Sequence, residues 1–155
     1  GAFFYHFKNK EEMGLAIIND IMYPSMVPYM LTSLEKPGDV RKNIYDMMKN
    51  LLLKDPLFKV EYGCPAVNLI EEMAPLSEAF RKALSHLMVQ WQKAIEESLR
   101  KAQDAGTIRP EHDAKKIALY ITSNYGGIRN MGKVFGKASY TQFLQEFKKY
   151  LEAIN

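Results

Sequence analysis

The sequence has 155 residues, of which 47% are hydrophobic and 25% charged, and its formal net charge is +3. This length and balance suit one buried domain and exclude a disordered tail, and so small a net charge does not by itself indicate a nucleic-acid partner. The single cysteine, Cys64, excludes a disulfide within the chain and fits a reducing compartment, so we expect a cytoplasmic protein.

The first helical pattern runs from about residue 9 to residue 34, and Asn9 is suited to cap it. Pro24 and Pro28 lie inside this pattern, and each removes a backbone hydrogen bond, so the sequence predicts a kink or a break. Although residues 13–34 carry only one charge, Asp20, their prolines and polar side chains exclude a membrane span.

The apolar spacing is helical in the rest of the chain too. Asp39 and Ser77 are suited to cap two further helices, and another helix covers about residues 113–135. Ser139 and Gln142 have the spacing of a capping box for the last helix. No segment shows sustained alternation with period two, so the sequence predicts an all-α protein.

Large apolar residues follow one another along the last helix at alternating four- and three-residue steps, which is the spacing of a coiled-coil seam. The helix before it contains adjacent glycines, which permit a close approach of a second helix. We therefore expect a symmetric homodimer interface of four helices, the alternative being that both helices pack on their own domain. The predicted interface residues are Gly126, Gly127, Tyr140, Leu144, Phe147, Leu151 and Ile154.

Nine methionines, one tryptophan and the prolines of the first helix indicate an adaptable, incompletely packed interior. For any single residue an ordinary core position is favoured, but together the residues predict a pocket for a small molecule, because Pro24 and Pro28 prevent close helix packing along one wall. The candidate lining residues are Tyr23, Val27, Met30, Met47, Leu51, Val67, Leu87, Trp91, Tyr120 and Asn124.

Two features bear on chemistry. Cys64 precedes Pro65 and so lies near a helix N-terminus, a position typical of reactive cysteines; it is either a redox sensor or a buried, inert cysteine. None of the three histidines stands three residues after a glutamate, and there is no phosphate loop or dinucleotide fingerprint. We therefore expect no enzyme activity, no metal site and no cofactor.

The chain opens with Gly1-Ala2-Phe3-Phe4-Tyr5-His6-Phe7-Lys8-Asn9-Lys10-Glu11-Glu12-Met13. This stretch resembles the segment that ends the helix-turn-helix of TetR/AcrR-type transcriptional regulators. The resemblance implies that Tyr5, His6 and Lys10 face the DNA backbone, while Phe4 replaces the usual tyrosine of the family. A second stretch is similar to the C-terminal domain of one branch of that family: Tyr62-Gly63-Cys64-Pro65-Ala66-Val67-Asn68-Leu69, with Glu71, Glu72, Phe80, Trp91 and the segment from Ala102 to Gly106.

The resemblance implies a TetR-like C-terminal bundle of about six helices over residues 9–155, preceded in residues 1–8 by a remnant of the DNA-reading motif. It also implies a repressor that binds palindromic operator DNA as a homodimer and is released by a small hydrophobic or aromatic effector. Because the supporting helices of the motif are absent, we expect this chain alone not to read DNA sequence. The alternatives are a helical small-molecule-binding domain without a regulatory role and a structural dimerisation module.

Overall fold

A computed structural model describes residues 7–54 and 59–155, and all regular structure in those ranges is helical. The first helix consists of α1 (Lys10–Ala16), a π-helical turn (Ile17–Met22) and α2 (Tyr23–Leu31), which follow one another without a break. The others are α3 (Val40–Leu53), α4 (Pro65–Met73), α5 (Glu78–Asp104), α6 (Ala114–Phe135) and α7 (Ala138–Glu152). The prediction of an all-α bundle of about six helices is confirmed. None of these helices is long and apolar enough to cross a membrane.

Side chains at the predicted positions cap the helices. The side-chain oxygens of Asn9, Asp39 and Ser77 each accept a hydrogen bond from a backbone N–H two or three residues further on. Asp113 caps α6 in the same way. The capping box predicted for the last helix is wrong. Gly136 adopts a φ of 74° and turns the chain directly into α7, so Ser139 already lies in the first turn and donates to the carbonyl of Gly136 at 2.7 Å.

The irregularity predicted in the first helix takes the form of the π-helical turn. Pro24 has no N–H to donate to the carbonyl of Asp20, and its ring crowds that carbonyl in a regular α-helix. The chain widens there, and the N–H of Tyr23 donates five residues back, to Ile18. Pro24 therefore accounts for the π turn that precedes it.

The long helix α5 runs through the middle of the bundle and contacts α1, the π-helical turn, α2, α3, α4 and α6. Its buried face is a single stripe: Phe80, Leu84, Leu87, Trp91, Ile95, Leu99 and Ala102. The indole N–H of Trp91 points at the sulfur of Met47 at 3.1 Å, and the edge of its ring meets Tyr125 with the ring centroids 5.1 Å apart. The centre of the bundle is thus filled by side chains in contact.

Helices α6 and α7 pack tightly against each other at Gly132. A Cβ atom added at Gly132 would lie 2.5 Å from the ring of Tyr140, so this position requires a glycine. The apolar stripe of α7 faces the bundle, and α7 also packs on α3. Consequently the last two helices are part of the chain's own core.

A buried arginine joins three helices. Arg129 on α6 is fully buried, and it donates to the hydroxyls of Tyr125 at 3.1 Å and Tyr140 at 3.3 Å and to the carbonyl of Leu51. Leu51 lies in the last turn of α3, where backbone carbonyls carry the negative end of the helix dipole. The guanidinium therefore ties the end of α3 to α6 and α7.

Candidate functional site

The predicted DNA-contacting residues fall at the start of the chain. Tyr5 and His6 lie outside the described residues, and so does most of the remnant motif. Lys10 is the first residue of α1, and its side chain is exposed. Its predicted contact with the DNA backbone stays a prediction.

The ten residues predicted to line a pocket do not gather around one cavity. Five of them lie in the packed centre of the bundle at 0–1% exposure: Met30, Met47, Leu51, Leu87 and Trp91. Tyr120 is 49% exposed and contacts Tyr150 on the surface, and Asn124 donates to the carbonyl of Tyr120 on its own helix. Tyr23 stacks on His86, while Val27 and Val67 are half-buried at the edge of the core. The predicted pocket is therefore mostly ordinary core, and the reason is the contact among Trp91, Met47 and Tyr125.

A groove lies elsewhere, between the first helix and the two helices that cross it. It has a volume of about 960 Å³, and its floor is closed by Phe80, which touches α1 at Gly14. A Cβ atom added at Gly14 would lie 2.5 Å from the Phe80 ring, so the glycine allows α1 and α5 to approach here. Twelve residues line the groove: Lys10, Glu11, Gly14, Ile17, Met22, Pro65, Asn68, Leu69, Met73, Leu76, Ser77 and Phe80.

Most of this lining is apolar, and only some of its polar groups form hydrogen bonds within the protein. The hydroxyl of Ser77 donates to Glu11 at 2.6 Å and fastens α1 to the start of α5. Asn68 donates to the carbonyl of Tyr62 at 2.9 Å and accepts from the ammonium of Lys133 at 2.5 Å. The groove can therefore hold an apolar body against Ile17, Met22, Leu69, Met73 and Leu76.

Cys64 is fully buried at the N-terminus of α4. Its thiol lies close to the hydroxyl of Tyr125, and burial raises the pKa of that tyrosine well above its usual value. The phenol is therefore neutral at physiological pH, and a soluble oxidant reaches the thiol only if the bundle opens. A sensing role for Cys64 stays a prediction.

The predicted dimer stripe must be corrected. Tyr140, Leu144, Phe147, Leu151 and Ile154 are only 1–4% exposed within the single chain, because α7 turns this face onto its own bundle. They are not available to a partner in this structure. Gly126 and Gly127 differ from them, since a Cβ atom at either position would meet open space.

An exposed apolar face is present on α6 instead. Residues at helical spacing along its outer side include Leu119, Tyr120, Gly127, Met131 and Val134, and the four side chains are between 47% and 72% exposed. Tyr120 extends this face onto α7, since its ring lies 4.7 Å from that of Tyr150 between centroids. We name this surface the α6 face.

Sequence reasoning missed the groove because its residues look like ordinary amphipathic positions. Phe80 and Leu69 fit a core pattern, and Leu76 before the Ser77 cap fits a hydrophobic staple. Only Gly14, a small residue inside an amphipathic helix, signals that another side chain comes close there. The partner of that glycine is far away in sequence and cannot be predicted from it.

Comparison with known proteins adds the family. Residues 46–147 match the family described as "Tetracyclin repressor-like, C-terminal domain". An uncharacterised HTH-type transcriptional regulator of Lactococcus lactis subsp. lactis is 34% identical over 102 residues, covering 64% of this chain and 50% of that protein. The transcriptional regulator AcuR of Cereibacter sphaeroides is 29% identical over 122 residues, covering 76% of this chain and 54% of that protein.

The fold agrees. A crystal structure of the regulatory protein TetR from Rhodobacter sphaeroides superimposes with a TM-score of 0.82 at 22% identity, covering 96% of this chain and 79% of that one. The chain belongs to the TetR family of transcriptional regulators, as the resemblance implied. It spans about half the length of the curated relatives that it matches.

Proposed function

We propose that this chain is the effector-binding and dimerisation part of a cytoplasmic repressor, which binds palindromic operator DNA as a homodimer and releases it when a small hydrophobic molecule binds. The groove carries this proposal, because one wall of it is the first helix. The motif that resembles the end of a helix-turn-helix leads directly into that helix. A ligand in the groove therefore contacts the element that leads to the DNA-binding part.

The coupling requires that the ligand bind two conformations unequally. The first helix touches the rest of the bundle at defined points, the contact of Gly14 with Phe80 and the bond of Glu11 with Ser77. A ligand seated beside these contacts favours one position of α1 over another. That difference changes the spacing of the two DNA-binding parts in a dimer.

The α6 face supports the homodimer. Large apolar side chains surround Gly127, whose missing side chain leaves room for the backbone of a second helix. Burying each large side chain contributes roughly 1.5–3 kcal/mol. A two-fold interface through this face accounts for both the exposed apolar residues and the glycine.

The proposal is tested with the full-length regulator that carries a complete helix-turn-helix. Operator fragments are selected from random DNA, and the affinity is then measured with and without each member of a library of small hydrophobic compounds. We expect sequence-specific binding that at least one compound weakens. Effector binding without any DNA binding would instead support a plain small-molecule-binding domain.

Lys10 gives a sharper test of the DNA contact in the same full-length protein. Lys10→Ala should weaken binding about equally for different DNA sequences and lower the slope of log K against log salt by about one unit. Lys82→Ala, which removes an exposed ammonium on α5, serves as the control. A salt slope that is the same in Lys10→Ala and the unmodified protein contradicts the phosphate contact.

A further inference from the structure

One charged group in the lining of the groove, the ammonium of Lys10, has no partner among the described residues. Among its four polar residues, Glu11 and Ser77 bond to each other, and Asn68 is bonded through both its amide and its carbonyl. Within the described ranges, the ammonium of Lys10 forms neither an ion pair nor a hydrogen bond. The groove therefore combines an apolar lining with a single uncommitted cation.

Lys10 stands at one end of the groove. It is the first residue of α1, and Met22, the last residue of the π-helical turn, lines the same groove. Helix residues rise about 1.5 Å each, so the two positions are roughly 18 Å apart along the axis. The bond between Glu11 and Ser77 places the Lys10 end beside the start of α5. A medium acyl chain is shorter than this distance, so it fits within the length of the groove with its carboxylate at Lys10.

We propose that the ligand of this groove is an amphipathic carboxylic acid, whose carboxylate pairs with Lys10 and whose acyl chain lies along Ile17, Leu69 and Met73. A carboxylate matches the ammonium in charge, and an unbranched chain matches a lining that is mostly apolar beyond the Lys10 end. This inference rests on the proposed function in taking the groove as the effector site.

The neighbouring carboxylate of Glu11 does not reverse this preference. One of its oxygens accepts from Ser77, which itself caps α5, so Glu11 lies at the positive N-terminal end of that helix. The Ser77 hydroxyl and the N-terminus of α5 therefore offset part of the charge of Glu11, whereas no described group of the protein offsets the charge of Lys10. An anionic head group is favoured at this end over a cationic one.

The test uses the 155-residue chain without DNA and two probes of equal chain length, decanoate and decan-1-ol, with binding measured by isothermal titration calorimetry. A solvent-exposed ion pair is worth up to about fivefold in Kd. We therefore expect decanoate to bind about two- to fivefold more tightly than the alcohol at low salt. The preference should shrink as the salt concentration rises.

Lys10→Met removes the ammonium and keeps the apolar stem, so it should abolish the preference for the acid while leaving binding of the alcohol unchanged. Lys8→Met makes the same change of charge two residues away, outside the groove. This variant should still bind the acid more tightly than the alcohol. Leu76→Ser, at an exposed position of the lining, should weaken both probes equally.

Equal affinities for the two probes, no saturable binding of decanoate, or an acid preference that survives in Lys10→Met would each overturn the inference. A failure of the proposed regulatory function would give a different set of results from a failure of the proposed ligand class. In that case decanoate binds with the Lys10 dependence described, and operator binding by the full-length protein does not respond to any ligand. An uncharged inducer that acts independently of Lys10 would contradict the proposal that the ligand is a carboxylic acid, but it would agree with the proposed regulatory function.

Discussion

Arg129 shows how a single residue organises this bundle. A buried arginine is stabilised only if its donors are satisfied, and here two phenols and a backbone carbonyl accept from it. Because burial raises the pKa of Tyr125 well above its usual value, that partner is neutral at physiological pH. The guanidinium also lies within 5.5 Å of the ring centres of Tyr125 and Tyr140, where cation–π attraction adds to the hydrogen bonds.

Arg129→Met should lower the free energy of unfolding by about 3 kcal/mol, because each buried acceptor left without a donor costs roughly 1–3 kcal/mol. Urea denaturation measures the change. Arg100→Met is the matched control, since Arg100 forms an exposed pair with Glu96 and should cost less than about 1 kcal/mol. Equal losses in the two variants would mean that the network around Arg129 does not stabilise the fold.

At the scale of the helices, the glycines of α6 divide into two kinds. The ring of Tyr140 covers Gly132, whereas Gly127 faces open space. Gly132→Ala forces a methyl group against a buried ring that Arg129 also holds, and such overpacking costs about 1–3 kcal/mol. Gly127→Ala adds helix propensity, so it should gain up to about 1 kcal/mol in a dilute, monomeric sample.

Thermal unfolding of the two alanine variants at low protein concentration compares them directly. We expect the unfolding midpoint to fall for Gly132→Ala and to rise for Gly127→Ala. A midpoint that does not fall in Gly132→Ala would show that the contact between Gly132 and Tyr140 does not set the packing of α6 on α7.

The π-helical turn offers a second test among the elements. Pro24→Ala supplies the missing N–H and removes the ring, so residues 17–22 should return to regular α-helical hydrogen bonding and the unfolding midpoint should rise. Carbon-13 chemical shifts of those residues report the change. Pro28→Ala is the control, because Pro28 lies inside α2 with no π turn before it. A π turn that persists in Pro24→Ala has another cause.

The positions of the helices could be predicted from the sequence much better than which helices pack against each other. Caps at Asn9, Asp39 and Ser77 act locally, and the hydrophobic period of each helix shows which face is buried. The same period cannot show what covers that face. The stripe from Tyr140 to Ile154 fits a coiled-coil seam between two chains, yet it is covered by α3 and α6 of its own chain.

For the whole molecule, the same limit explains why the groove was missed. Its walls come from the first helix and from α4 and the start of α5, and the whole of α3 separates the first helix from the other two in sequence. A pocket depends on where packing fails between such elements. The predicted residues Met47 and Trp91 point to the core because their pattern reports burial, which a filled core and a lined pocket share.

The oligomeric state is the remaining property of the whole molecule, and the position of the α6 face decides which variants can test it. Phe147→Glu and Leu151→Glu put charges into the chain's own core, so we expect them to reduce helicity rather than to yield folded monomers. Their effect on sedimentation would not identify an interface.

Met131→Glu combined with Val134→Glu changes two exposed side chains, so the fold should be kept. In a two-fold dimer through the α6 face these carboxylates meet their copies near the symmetry axis, and their desolvation and mutual repulsion should shift the protein to monomers. Sedimentation velocity, with circular dichroism to verify helicity, makes the measurement. Ile21→Glu, at an exposed apolar position of the π-helical turn, should leave the dimer intact. If the double variant sediments as a folded dimer, the chains associate through another surface. In that case Gly127 does not serve to make room for a helix of the partner chain.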